Sequence, residues 1–326
     1  MSTIPLLKLP ILVITNILES MGLIDRFLLA HVSQRMKRII KNSARVRNHR
    51  FLVFFNQRAG FRFETMDRKT LPEDFIVEDD DAADMNYIEK LLRKPFKLSM
   101  SKTNRQILTI YWDDVFIGMK TICEEITELF SVPVNGVCFD LNGVDYHLES
   151  ITNFINSLNP RPESVRVDGE KCDFQQYKYV LENIKSSNNL ACHAEPKEHL
   201  EMGDISLKFE KLYIKSGKWI KLDHLKSIEA NEIVIDHSNF TDQILKNLFR
   251  NLKGLLHSKT KKLEIYVYRH VDIDTVMDDF DADEDDESRW SFPMDNGENF
   301  IVDFNDDPIL RRFSILLDKK EDNQED

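Results

Sequence analysis

LPILVITNILESMGLIDRFLLAHVSQRMKRII, residues 9–40, decides how the N-terminal part of this chain folds. Val13, Ile14, Ile17, Leu18 and Met21 recur at steps of three and four, the spacing that lays one apolar stripe along a helix. Pro10 stands where a helix can begin. A second periodic set, Phe27, Leu28, Leu29, Val32, Met36, Ile39 and Ile40, follows a break at Gly22 to Asp25, whose glycine and acid suit a helix end and a new start. The residues themselves predict a helical hairpin. Two helices of about 12 residues do not bury both faces against each other, so apolar surface must meet the rest of the chain or a partner.

On the N-terminal side, Ile4 to Leu18 resembles a signal segment only loosely. Pro5, Lys8 and Pro10 interrupt it and no small-residue cleavage site follows, so it reads as part of the fold. No segment approaches the roughly 20 apolar residues of a membrane span. Charge is divided unevenly along the chain: residues 1–50 hold nine Lys or Arg against Glu19 and Asp25, while the remainder holds 35 against 54. A net charge of −12 argues against a general nucleic-acid binder, and the +7 leader is consistent with a nucleic-acid arm, a mitochondrial presequence or a docking module for an acidic partner. Four widely spaced cysteines make neither a disulfide scaffold nor a metal knuckle.

On the C-terminal side the pattern changes type. Phe51 to Phe55 and Phe61 to Phe63 predict a β-hairpin around Gln57 to Gly60, residues 73–84 a charged loop or lead-in to a helix over Tyr87 to Leu92, and Ile107 to Trp112 a strand. Strands then begin near Val137, Val165, Leu190, Leu212, Ile233 and Leu263, at intervals of 28, 25, 22, 21 and 30 residues. Helical patterns lie between several of them, at Met119 to Phe130, Ile151 to Leu158, Phe174 to Ile184 and Thr241 to Leu252. Units of this length fit an irregular leucine-rich-repeat-like array better than a doubly wound sheet, because no glycine-rich phosphate loop is present.

Within residues 9–39, Leu9-Pro10, Val13, Ile17-Leu18, Met21, Asp25, Leu29-Ala30, Val32-Ser33, Arg35, Lys37 and Ile39 resemble the F-box pattern. That pattern is a Leu-Pro pair, an Ile-Phe pair, an aspartate, and Val-Ser or Val-Cys before a basic tail. Leu12 replaces the usual acid and Met36 the usual tryptophan. The resemblance implies a three-helix module that docks on the Skp-type adaptor of a cullin-based, SCF-type ubiquitin ligase. The docking residues it implies are Leu9, Pro10, Val13, Ile17, Leu18, Met21, Leu29 and Val32. A more diffuse likeness runs through Trp219, Leu222, Ile233 to Ile235 and Phe240 to Phe249, which resemble the type-2 F-box-associated domain of the nematode F-box families. Thr241 or Asp242 also suits a helix cap without that likeness.

Candidate chemistry is sparse. Asp278 to Glu287 alternates acids like the start of an EF-hand, but Glu284 stands where a glycine must turn and Trp290 where the bidentate glutamate belongs. It reads as a solvated acidic loop. His193 and His199 near Cys192 are the one local histidine cluster and read as an ordinary face and loop, with no metal site. No catalytic residue, cofactor or nucleophile signature is found. Tyr266 and Tyr268 share one side of a strand whose other side carries Val267, which makes them the candidate target-binding residues.

The reading is therefore an α+β chain: a three-helix F-box at 1–45, a connecting hairpin and acidic region at 46–114, an F-box-associated, leucine-rich-repeat-like α/β domain at 115–317, and a disordered acidic tail at 318–326. Its expected function is to recruit a protein target to a ubiquitin ligase without being an enzyme. The expected partners are the Skp-type adaptor and an unknown target, not nucleic acid or membrane, and the expected residence is cytoplasmic or nuclear. The alternative is a repeat scaffold unrelated to ubiquitin, with residues 1–45 as its cap.

Overall fold

In the computed structural model, which describes residues 6–43, 46, 48–67, 72–79, 97–100, 107–143, 147–185, 187–198, 201–278, 280, 283–286, 289–293, 299–306 and 311–318, the N-terminal stretch forms three helices. These are α1 (Ile11–Ser20), α2 (Leu23–Val32) and α3 (Gln34–Ser43). The residues alone predicted a hairpin; the three-helix expectation from the resemblance holds. The second periodic set is cut at Ser33, whose extended backbone ends α2 and whose hydroxyl accepts from Met36 N at 3.2 Å, capping α3. Periodicity missed the cut because Val32 and Met36 keep a four-residue step across it.

The chain divides into two compact units, Met1–Glu163 and Ser164–Asp326. In the first, β1 (His49–Phe55) and β2 (Gly60–Thr65) form the expected hairpin, and β3 (Glu73–Asp79) extends it antiparallel. β4 (Lys97–Met100) and β5 (Ile107–Trp112) follow, β5 parallel to β3 and β4 antiparallel to β5. Helix α4 (Val115–Phe130), strand β6 (Gly136–Asp140), parallel to β1, and helix α5 (Leu148–Ser157) complete this unit. The strand order is β4-β5-β3-β2-β1-β6.

Residues 73–79 are thus a central strand, not a charged loop. The acids at its ends flank Phe75, Ile76 and Val77, all buried, and that apolar triplet between two partner strands outweighs the flanking charge. The expected helix over Tyr87 to Leu92 lies outside the described residues. Aromatic rings knit the core. Phe51 stacks on Phe63 at 4.8 Å, and Phe63 meets Phe130 of α4 edge-on at 5.9 Å.

β3 also fastens the three-helix module. The Glu73 carboxylate accepts from Leu23 N and Ile24 N, both at 2.9 Å, at the start of α2, where the helix dipole favours an anion. Gly22 leaves room for it: a Cβ there would stand 3.1 Å from Glu73 Oε2. Replacing Glu73 with Ala is expected to lower stability by about 1–2 kcal/mol, as for loss of a helix cap. Urea denaturation of the full chain checks this, and an unchanged midpoint would refute the cap.

The second unit starts with β7 (Ser164–Asp168), β8 (Glu170–Cys172), α6 (Phe174–Asn183), β9 (Asn189–Cys192), β10 (Glu195–Pro196), β11 (Leu207–Lys208) and β12 (Lys211–Ile214). It continues through α7 (Leu222–Lys226), β13 (Ile228–Glu229), β14 (Glu232–Ser238), α8 (Asp242–Arg250), α9 (Leu252–Leu255) and β15 (Lys262–Val267). Strands β7, β9, β12, β14 and β15 run parallel, with Val165, Leu190, Leu212, Ile233 and Leu263 side by side in register and all buried. Those are the five positions at which the sequence places strand starts in this unit. Alternate residues of each strand are buried and the others are not, so one sheet face joins the core with Tyr177 of α6 and Leu248 of α8 while the other is open.

The parallel succession stops at β15. After α10 (Ile273–Met277), strands β16 (Asp283–Asp286), β17 (Arg289–Pro293), β18 (Asn299–Asp306) and β19 (Arg311–Asp318) pair antiparallel, and β19 pairs antiparallel with β15. The acidic stretch expected as a loop therefore carries a strand, β16, at the end of the sheet order. An edge strand tolerates a charged sequence because only its backbone must pair. Asp279 and Asp281, on which the calcium reading also rested, lie outside the described residues, as do residues 319–326.

Candidate functional site

The N-terminal module buries Ile14 and Leu18 of α1, Leu23, Ile24, Phe27 and Ala30 of α2, and Met36 and Ile40 of α3. Its remaining apolar side chains are left outside. Leu12 is 70% exposed, Val32 66%, and Ile11, Val13 and Ile17 are also exposed. Single exposed apolar residues are ordinary, but Ile11, Leu12, Val13 and Ile17 lie within two turns of one short helix.

Among the residues implied by the resemblance, Val13, Ile17, Val32 and Pro10 are exposed, while Leu9, Met21 and Leu29 are half-buried. Leu18 is corrected: it is fully buried and belongs to the interior of the module. Ile11 and Leu12 are exposed apolar residues that the resemblance does not name for docking. Leu12 counted only as a departure from a pattern, although a leucine replacing an acid before a buried Ile14 is itself a signal of an apolar surface.

The basic residues split into two groups. Lys37 Nζ lies 3.0 Å from Glu125 and Lys41 Nζ 2.8 Å from Glu128, both carboxylates on α4. Lys41 holds the Glu128 carboxyl below the usual carboxylate range. Arg26 is buried and donates to Met21 O and Glu19 O at 2.9 Å, locking the turn between α1 and α2. Lys8, Arg35 and Arg38 remain exposed. Part of the +7 of the leader is thus engaged by the body of its own unit, and a smaller set of cations stays exposed.

On the open face of the second unit, Tyr266 is half-buried and Tyr268 is 45% exposed. Tyr268 stacks on His237 at 4.0 Å, and Tyr213 carries His193 at 4.7 Å. The His193 ring is thereby placed against a tyrosine, and burial lowers its pKa. His199 lies outside the described residues. Among the described residues, no group of three His, Cys, Asp or Glu is arranged to hold a metal ion, and no helix is long and apolar enough to cross a membrane. Burial pushes the thiols of Cys123 and Cys192 up to about 12, the protonated form of a packed side chain. Thr241 caps α8, accepting from Ile244 N at 3.2 Å, and Asp242 pairs with Arg269 instead.

Comparison with protein families matches residues 6–48 to the F-box domain, so the three-helix module is an F-box domain. No curated protein and no solved structure matches the chain.

Proposed function

We propose that the chain is the substrate-recruiting subunit of an SCF-type, cullin-based ubiquitin ligase. Its F-box docks on the Skp-type adaptor through Pro10, Val13, Ile17 and Val32, flanked by Leu9, Met21 and Leu29 and widened by Ile11 and Leu12. The observation that carries this reading is that the residues matched to an F-box expose a row of large apolar side chains on α1 and at the end of α2. Such a row supplies the anchor area of an interface, and the exposed cations beside it speed encounter with an acidic adaptor.

The second unit, in this reading, is the target-binding part, with Tyr266 and Tyr268 on its open face. The in-register row from Val165 to Leu263 and the one-sided burial of its parallel strands support the leucine-rich-repeat-like description, since stacked units of that kind leave one strand face free for partners. The stretch Lys218 to Arg250 further supports a type-2 F-box-associated domain of the nematode kind. The chain acts by proximity, holding a target near a charged enzyme without contributing a catalytic residue, in the cytoplasm or nucleus.

The fastening of the helices to β3 and α4 favours a second reading, in which they are the cap of a scaffold unrelated to ubiquitin. Pull-down of the full chain with purified Skp adaptor separates the two. Binding that is weakened but retained at moderate salt is expected, and no binding at low salt would hand first place to the scaffold.

A further inference from the structure

Along the open face of the second unit, four carboxylates of β7 to β15 and the turns that follow them are matched by cations. Asp168 lies 2.9 Å from Arg166, Glu195 2.7 Å from Lys215, Glu232 2.8 Å from Lys211 and Glu264 2.9 Å from Lys262. Asp236 differs from these four: among the described residues, no Lys or Arg lies within ion-pair distance of it. Lys215 feels its charge but gives its ammonium group to Glu195. Arg312, which pairs across strands with Tyr266, makes no ion pair with it either.

What surrounds Asp236 is largely aromatic. Its Oδ2 accepts a long hydrogen bond from the Tyr213 hydroxyl at 3.4 Å, its Oδ1 accepts from the His237 amide at 2.8 Å, the Tyr268 phenol feels its charge, and the His237 ring lies against Tyr268. Partial burial, with the Asp236 charge second, pushes both phenols up to about 12, so both remain donors. A local irregularity of the strand makes this grouping. The register of β14 against β15 shifts between Ile235 and Ser238, and His237 adopts a left-handed backbone with φ 48°. Asp236 and His237 therefore stand consecutively half-exposed between buried Ile235 and Ser238, where an unbroken strand would have buried one of them. The approach of the neighbouring loop requires glycine, since a Cβ on Gly217 would lie 2.7 Å from Asp236 O. A left-handed non-glycine residue at a bulge is a cost that the fold retains here.

We propose that Asp236, between Tyr213 and Tyr268, receives the cationic side chain of an arginine or lysine from an exposed basic segment of the target protein. This rests on the target-binding reading and names the chemistry it selects. The carboxylate supplies the countercharge, and the tyrosine rings supply the faces over which a guanidinium or ammonium group is held. The chain's net charge of −12 draws such a segment in.

The test uses the full chain and Nα-acetyl-arginine amide as probe, with Nα-acetyl-citrulline amide as its uncharged counterpart, followed through the tyrosine and histidine ring resonances. The arginine probe is expected to shift the Tyr213, Tyr268 and His237 rings and to bind about tenfold tighter than citrulline. Asp236→Asn, which keeps an acceptor for the His237 amide, should remove that preference. Tyr268→Leu should weaken the arginine probe several-fold, and Glu149→Gln, an equal loss of charge in the other unit, should leave it unchanged. Equal binding of the two probes, or an arginine preference that survives Asp236→Asn, overturns the proposal. Neither adaptor nor target is present in this measurement. Absent probe preference therefore sinks the cation site whatever the adaptor does, and absent adaptor binding sinks the ligase reading whatever the probe does.

Discussion

Leu12→Asp combined with Val32→Asp is expected to abolish capture of the Skp-type adaptor while leaving the chain folded. Both side chains are mostly in solvent, so the folded state has little to lose: substitutions at such positions usually change stability by less than about 0.5 kcal/mol. In the complex the same side chains are proposed to be buried anchors. Losing one costs about 2 kcal/mol, roughly 30-fold, and a charge left in a desolvated apolar contact costs more, so the pair should weaken binding by at least about 100-fold. Leu18→Asp is the informative contrast. It places a carboxylate in a fully buried position and should unfold the helical module itself, a loss visible without adaptor. Adaptor titration of the three full-length proteins, beside their thermal unfolding, decides the matter. Retained binding by the double variant would remove α1 and the end of α2 from the interface.

The position of that surface was only half legible in the sequence. Apolar periodicity marks a stripe but does not divide it between inside and outside, because Leu18 and Ile17 are equally apolar neighbours and only packing against α2 and α3 decides which is covered. Strand starts were far more legible. Val165, Leu190, Leu212, Ile233 and Leu263 each open a short apolar run after turn residues, and a parallel array forces such runs into one row. What failed was strand identity under charge. Glu73 to Asp79 and Asp283 to Asp286 read as loops because acids dominate them, yet the first holds a buried triplet and the second needs only a backbone partner. The Asp236 grouping was not legible at all. It depends on a bulge and a left-handed histidine, and neither has a signature in residue types.

Glu125→Ala is expected to loosen the F-box from its own unit, at a cost of about 3 kcal/mol, the low end for leaving buried charge partners uncompensated. Glu125 sits in the middle of α4 with its carboxylate nearly closed to solvent, and its Oε1 meets His31 Nε2 at 2.8 Å and Lys37 Nζ at 3.0 Å. The other nitrogen of His31 lies 2.7 Å from Phe27 O, a carbonyl that only accepts, so the ring is tied at both ends. One carboxylate thereby holds α2 and α3 at once. Removing it strands a buried imidazole and a partly buried ammonium group, whereas Glu125→Gln keeps an acceptor and should cost less. Other ties among the described residues include the Glu73 cap, the exposed Lys41 pair and the edge-on contact of Phe27 with Phe75 at 5.2 Å. With the module held by fewer ties, amide exchange in α2 and α3 should accelerate more than in β1 or β6. In a recruiting subunit the consequence is specific. Adaptor binding, proposed to use exposed side chains of α1 and the end of α2, should fall less than transfer of ubiquitin to a target, because proximity helps only when the distance and angle to the adaptor are held. Equal stability and equal exchange in wild type and Glu125→Ala would show that this buried carboxylate fastens nothing.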